Sequence, residues 1–331
     1  MERKTILNIL KYLVFFSIGI FIFWLVYRNL EIDTLKHELS HVHLWWLFVS
    51  LVFLMLSNLS RAMRWNMLIR PLGHNPSTLN SLLAVLVMYL TNLALPRAGE
   101  LARCTVLGRY ERIPFTKLVG TVVVERFTDA MALFIFAFVI ILSQWPVFSR
   151  FMHSHPDMDA RIREIFSLMH ILIFILLILA GIAFLIYFRR RIKKMAFFSR
   201  IEHLYHNFTD GMKAIGKLEN KWYYIGHTVF IYIMWLAALY VVFLSYPPTM
   251  HLSIAAGMAA FVMGGLAMLA PVQGGIGPWH FMVYETLFIY GIDKTEGKVF
   301  ALIAHTTTNL SMMIFGLAAL LILPMINRKE A

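Results

Sequence analysis

Three groups of polar residues in this chain have types and spacings that could do chemistry. The first reads Arg61-x-x-Arg64-Trp65, followed by Asn92-x-x-x-Pro96-Arg97-x-Gly99-Glu100-x-x-Arg103. Proline and glycine there break a helix, and charges at a break inside a helical bundle are costly unless paired. Glu100 and Arg103 are three apart and can share a helix face. Two plainer readings stand beside a binding role: Arg61, Arg64 and Arg70 as interfacial anchors, and Arg97, Glu100 and Arg103 as a basic loop that fixes orientation.

The second group is Glu125-Arg126-x-x-Asp129, embedded between Val122–Val124 and a long apolar run. Glu125 and Asp129 lie one turn apart, Arg126 can reach Asp129, and Arg97 and Arg103 are natural external partners. The choice is between a structural ion-pair network and a polar cavity that exchanges internal carboxylates for a bound anion. The third group is Pro271-Val272-Gln273-Gly274-Gly275-Ile276-Gly277-Pro278. Its glycines can present backbone N–H groups as an anion nest, and a helix opening at Pro278 would add its positive end. His280 and Glu285 follow on that helix. His305 and Asn309, one turn apart, could face the same cavity or simply satisfy each other.

The elements that must hold these residues are membrane spans. Of 331 residues, 60% are hydrophobic and 15% charged, with a net charge of +12. That is far from the 45–50% or so apolar content of soluble domains. It excludes a disordered chain, a soluble nucleic-acid-binding domain and an ordinary cytosolic enzyme. The single cysteine, Cys104, excludes a disulfide framework and a CxxC metal site. Apolar stretches cover roughly 5–27, 44–60, 79–95, 117–143, 167–188, 222–246, 252–270, 279–290 and 299–323. The first has no cleavage site and reads as an uncleaved span.

Loop charges set the orientation. Arg3 and Lys4 place the N-terminus in the cytoplasm, as do Arg189, Arg190, Arg191, Lys193 and Lys194 for a basic loop over 189–221, and Arg328 and Lys329 for the C-terminus. The basic stretch 96–117 stays on the cytoplasmic side only if 79–95 turns back at Pro96. The same bookkeeping makes 252–290 a second hairpin dipping from outside. The expectation is an all-α, polytopic bundle forming one domain over 1–331. It has about six full spans and two re-entrant hairpins, with an inverted repeat relating 44–143 to 222–323. Paired broken helices of this kind point to a substrate site. Eight or nine ordinary helices with one charge-rule violation is the alternative.

In this order and spacing, the motifs ArgxxArgTrp, AsnxxxProArgxGlyGluxxArg, GluArgxxAsp and ProxxGlyGlyxGly resemble the lysylphosphatidylglycerol synthase transmembrane-region family, or flippase-like domains, over roughly 5–325. The resemblance implies a membrane region that moves a phospholipid between leaflets, without the soluble aminoacyltransferase domain that accompanies it in well-known members. Its substrate-binding set would be Arg61, Arg64, Asn92, Pro96, Arg97, Gly99, Glu100, Arg103, Glu125, Arg126, Asp129, Gly274, Gly275, Gly277, His280 and Asn309. The chain departs from the family pattern at His280, where an acidic residue is common, and at Gln273, where a second proline is frequent. Both bear on the headgroup.

One motif points elsewhere. His37-Glu38-Leu39-Ser40-His41 is a literal HExxH, the zinc-protease signature. It lies in a short connector outside any cleft, and catalytic zinc needs a third ligand that only His43 or the 153–159 segment could supply. The expected function is a translocase in the cytoplasmic (inner) cell membrane, with both termini cytoplasmic and an anionic or aminoacylated phospholipid as partner. The expectation includes no metal or cofactor, no nucleic acid and no ATP hydrolysis, for want of a Walker A motif. It admits a separately encoded transferase and a homo-oligomer. A membrane-embedded enzyme or subunit acting on lipid-linked substrates is the alternative, with Glu125, Asp129 or His280 as acid or base, and a metalloprotease is the minor one.

Overall fold

The computed structural model describes residues 17–95, 98–145, 149, 218, 220–270 and 272–327. Every regular element among them is helical: α1 (Ser17–Tyr27), α2 (Ile32–Ser40), α3 (Leu44–Ile69), α4 (Thr78–Ala94), α5 (Gly99–Glu111), α6 (Phe115–Ser143), α7 (Lys221–Phe243), α8 (Ile254–Ala267), α9 (Pro278–Ile289) and α10 (Lys294–Ile326). Among the described residues α3, α6, α7 and α10 are long and apolar enough to cross a membrane. Large side chains such as Phe134, Ile135 and Phe138 on α6 and Leu317 and Leu321 on α10 face outward, which suits a chain whose solvent is hydrocarbon. This is a multi-pass membrane protein. The segment 167–188 and nearly all of the basic loop 189–221 lie outside the described residues.

Two apolar cores divide the chain. One gathers Trp65 and Ile69 of α3, Ala84 and Met88 of α4, Cys104 and Leu107 of α5, and Leu118 and Val122 of α6. The other gathers Phe243 of α7, Ala256 and Ala260 of α8, Val283 and Leu287 of α9, and Phe300 and Ala304 of α10. Each half runs in the same order: a long helix, two short helices separated by a break, and a long helix.

The breaks have local causes. Leu95 is extended, at φ −131° and ψ 108°, the conformation that a following proline imposes. Asn92 then caps the next helix, its Oδ1 accepting the Gly99 N–H at 2.8 Å. Gly99 sits so close to α4 that a Cβ there would strike the Met88 carbonyl oxygen and Asn92. At the far end Glu111 accepts from the Ser77 N–H and from Asn80 Nδ2, so α4 and α5 form an antiparallel hairpin. In the second half Gly274, Gly275 and Gly277 all take positive φ, at 57°, 72° and 92°, which only glycine adopts freely. The turn they form returns α9 along α8, where Gly264 accommodates the Trp279 indole.

The halves meet along three seams. Helix α3 runs antiparallel to α7, with Ser50 Oγ donating to the Ala238 carbonyl (2.9 Å) and Ser60 Oγ meeting His227 Nδ1 (2.8 Å). Helix α10 runs against α4, where Gly316 fits against Leu90 and a reciprocal amide pair joins Asn80 to Asn327. Helix α6 packs on α8 through Ala137, Ile140 and Val262. The two breaks also touch: Gln273 Nε2 donates to the Ala94 carbonyl at 3.2 Å, and Gly274 faces Leu93 and Asn309.

Candidate functional site

The apolar run of α3 ends near Ser60, but the helix does not. It continues to Ile69 with Arg61 and Arg64 fully buried, so these two are neither interfacial anchors nor the start of a loop. They are carried inside because the carboxylates of α6 meet them. Arg61 Nη1 lies 2.8 Å from Glu125 Oε1 and 2.9 Å from Asp129 Oδ2. Arg64 Nη2 bonds Asp129 Oδ1 at 2.5 Å, and its Nη1 donates to Thr228 Oγ1 of α7 at 2.9 Å. Arg126 Nη2 reaches both Glu125 and Asp129 at 2.9 Å.

Helix α5 supplies the remaining charges. Arg103 Nη1 is 2.9 Å from Glu125 Oε2, and Glu100 Oε1 is 3.5 Å from Arg126 Nη1. Glu100 and Arg103 share a face as their spacing suggests, yet each pairs with α6. Among the described residues the cluster thus holds four guanidiniums, of Arg61, Arg64, Arg103 and Arg126, against three carboxylates, of Glu100, Glu125 and Asp129. The excess is one positive charge.

The pairing leaves donors over. The Arg103–Glu125 contact is close enough for an ion pair but off hydrogen-bond alignment, and all three Arg103 guanidinium nitrogens lack a hydrogen-bond acceptor among the described residues. The same holds for Nε and Nη2 of Arg61 and Nε of Arg64 and Arg126. Aromatic faces take part of the load: Arg103 lies 4.5 Å over Trp65, Arg61 5.1 Å over Trp235 and Arg64 5.6 Å over Tyr224. Trp65 is itself held by a bond to Thr121, and Tyr232 donates to the Asp129 carbonyl at 2.6 Å. Thr228, Tyr224, Tyr232 and Trp235 are site residues that sequence reading missed, because an aromatic or threonine in an apolar span carries no signal of its own.

Exposure within the cluster is confined to three of its seven charged side chains. Arg61, Arg64, Arg103 and Glu125 side chains have no exposure, whereas Asp129 has 13%, Glu100 22% and Arg126 39%. Arg126 and Glu100 therefore form its rim. Beside them Asn92 Nδ2 approaches Glu100 Oε2 at 3.5 Å, which links the rim to the first break. Pro96 and Arg97 lie outside the described residues.

Beyond the contact between the breaks lies the second polar group. Three amides of the glycine turn are internally engaged: the Gly275 N–H by Val272 O, the Ile276 N–H by Gln273 O and the Gly277 N–H by His280 Nδ1. His305 Nε2 bonds the Gly274 carbonyl at 2.7 Å, and Asn309 Nδ2 lies 3.0 Å from His305 Nδ1. The His280 and His305 rings are 4.3 Å apart. Glu285 is turned away and pairs with Lys294 at 3.1 Å.

A family model described as lysylphosphatidylglycerol synthase TM region matches residues 8–316. The chain belongs to that family. Comparison with curated proteins and with solved structures returned no match. Both polar groups fall inside the part matched to the lysylphosphatidylglycerol synthase transmembrane region, as do all ten described helices except the end of α10.

The HExxH segment lies on and just beyond α2. Glu38 Oε2 is taken by the Tyr246 hydroxyl at 2.7 Å, and His41 Nδ1 lies 2.9 Å from the His37 carbonyl. Burial, with the Glu38 carboxylate beside it, pushes the Tyr246 phenol up. Among the described residues no three His, Cys, Asp or Glu side chains are grouped so as to hold a metal ion.

Proposed function

We propose that this chain is a lipid translocase that passes a phospholipid headgroup between leaflets through the region where the two helix breaks meet. The observation that carries the reading is the buried arginine–carboxylate cluster with its excess positive charge, its unpaired guanidinium donors and its single accessible rim at Arg126 and Glu100. Guanidiniums suit a phosphodiester because their fork matches two of its oxygens. The headgroup enters at Arg126 and Glu100 and exchanges for carboxylate contacts at Arg103, Arg61 and Arg64, with Arg97 of the same motif as a further cation. Asn92, Pro96 and Gly99 shape the first break, while Gly274, Gly275, Gly277, His280 and Asn309 flank the path at the second. The acyl chains stay in the bilayer throughout.

The reading takes the two hairpins as re-entrant and the segments 44–143 and 222–323 as an inverted repeat within one domain. Support comes from the seams: the leading helices α3 and α7 lie antiparallel, and the α4–α10 pair mirrors the α8–α6 pair. Both termini are cytoplasmic in an inner membrane, with six full spans. An acid–base enzyme at Glu125 and Asp129 is less favoured, since each carboxylate is occupied by several guanidiniums.

Fluorescent-lipid scrambling in proteoliposomes tests the function, with folded protein quantified first. Arg97→Ala and Glu100→Gln should each slow lipid movement, and Arg97→Lys should do so less than Arg97→Ala. Wild-type rates in both would reduce the charged break to an orientation device. Cysteine at Gly108 should label only from the cytoplasm and at Gly291 only from outside; external labelling at 108 would remove the repeat.

A further inference from the structure

The second break holds a pair of imidazoles that a lipid path of arginines does not explain. His280 of α9 and His305 of α10 stand with ring centroids 4.3 Å apart at the wall of a cavity of about 440 Å³, lined also by Phe23, Leu93, Asn309 and Met313. Their hydrogen bonds fix the tautomers of the neutral rings. His305 Nε2 must carry its proton, because it faces the Gly274 carbonyl, and so His305 Nδ1 accepts from Asn309 Nδ2. His280 Nδ1 accepts from the Gly277 N–H, at a long 3.3 Å. Each ring therefore keeps one basic nitrogen, bonded only to a neutral amide that can turn or give way.

The surroundings decide what a proton there would need. The Phe23, Tyr27 and Trp279 rings pack around the pair at 5.1–5.8 Å, and aromatic rings give a cation partial support. From α1 the only titratable group in contact is Tyr27, whose hydroxyl is committed to the Lys298 carbonyl. On α9, Glu285 is held by Lys294; on α10, the Lys298 ammonium lies over Tyr284. Leu93 is what α4 presents, and α8 and the glycine turn bring backbone and indole contacts. Among the described residues no carboxylate faces either imidazole. A buried charge without a partner is strongly disfavoured, so an imidazolium here requires that the counter-charge arrive with the ligand.

We propose that the His280–His305 cavity binds one proton together with one phosphate-type anion, the headgroup of an anionic phospholipid, so that anion and proton are taken up as a neutral pair. The inference rests on the translocase reading and names its coupling ion. The proton lands on His305 Nδ1, the Asn309 amide turns its oxygen toward it, and the headgroup oxygen sits across from the pair. Linkage makes the effect reciprocal: the anion raises the affinity for the proton by the same factor that the proton raises affinity for the anion.

The test uses the full chain purified in a neutral detergent and weakly buffered, with a pH-indicator dye. Phosphatidylglycerol should draw proton uptake on the order of one per bound lipid, phosphatidylcholine none, and inorganic phosphate at equal concentration far less. Phosphatidylglycerol affinity should fall about tenfold per pH unit across the range where the pair is protonated in the complex but not in the free protein, and level off above it. His305→Gln retains a donor for the Gly274 carbonyl but has no proton site, so it should bind phosphatidylglycerol only at the weak affinity of the unprotonated protein, with the pH dependence lost. His280→Gln, which removes only the neighbouring ring, should show a smaller loss of the same kind, and size-exclusion profiles establish that both fold. Phosphatidylglycerol binding with no proton uptake, or uptake undiminished in both variants, overturns the proposal, and saturation by inorganic phosphate at the same concentration overturns its lipid assignment. Scrambling that proceeds at a pH-independent rate removes the proton coupling alone. No lipid binding or movement at any pH removes the translocase reading with it.

Discussion

The break between α4 and α5 and the break between α8 and α9 are made of the same parts, a proline, a glycine step and two half-length helices, but hold themselves together differently. At the first, four guanidiniums and three carboxylates from α3, α5 and α6 interlock, with neutral groups such as the Asn92 cap, Thr228 and Tyr232 at their edges. At the second, glycine backbone, two imidazoles and two amides do the work, with no ionised side chain in contact among the described residues. The difference teaches that equivalent positions in a bundle need not carry equivalent electrostatics. A charged break is rigid because every member depends on its neighbours, whereas a neutral one can be remade at the cost of a hydrogen bond or two.

The largest effect that separates the two is Glu125→Ala. It strips contacts from Arg61, Arg64, Arg103 and Arg126 at once and leaves buried charges unpaired, at a cost of about 3–5 kcal/mol. His305→Gln at the second break keeps a donor for the Gly274 carbonyl, loses the bond from the neutral Asn309 amide and should cost about 1 kcal/mol. Thermal unfolding in detergent measures both, and equal losses would break the contrast. Next in size is glycine. Gly277→Ala meets the Gly19 carbonyl oxygen and Ile22 at 2.8 Å on a backbone with φ 92°. It should combine about 1–3 kcal/mol of overpacking with about 1–2 kcal/mol for the left-handed backbone. Gly73→Ala, also at positive φ but in open space, should show only the second part.

Smaller again is the cap at the start of α10, outside the membrane. Asp293 accepts the Thr295 N–H at 2.7 Å, and that backbone bond holds its carboxyl below the usual range. The sign follows: the cap contributes above the unfolded carboxylate value, near pH 4, and its contribution is lost as pH falls through the depressed value. Asp293→Ala should cost about 1 kcal/mol near neutral pH, and less in acid, as read from melts at several pH values. The smallest effect is expected at the exposed histidines of the HExxH segment. His37→Ala and His41→Ala should change stability by no more than about 0.5 kcal/mol and leave scrambling intact; loss of function in both, with stoichiometric zinc in the purified protein, would revive the protease.

What the sequence disclosed differs between the breaks for physical reasons. The prolines and glycines announced where helices stop, because those residues act on their own backbone. The hairpin of α4 and α5 followed from charge placement. The depth of Arg61 and Arg64 did not: the partners that make their burial tolerable stand some sixty residues onward, and hydropathy along one helix cannot see across to another. Arg103 as a Glu125 partner was legible from type and proximity to the break, whereas the Glu100–Arg126 pair emerged only from packing. At the second break the His305–Asn309 spacing indicated a pair. The glycine run read as an open nest, while three of its amides are spent within the turn and at His280.

The antiparallel seam of α3 and α7 has a consequence for how the chain is made. Arg61 and Arg64 leave the ribosome well before Glu125 and Asp129, and Thr228 of α7 comes later still. An arginine at the centre of an isolated span adds about 2.5–3.5 kcal/mol to its insertion, and Arg61 and Arg64 stand in the last third of α3, so the burial of that third depends on the carboxylates that α6 brings later. The first half therefore carries the charged partners of its own arginines, and what α7 adds to them, Thr228 included, is neutral.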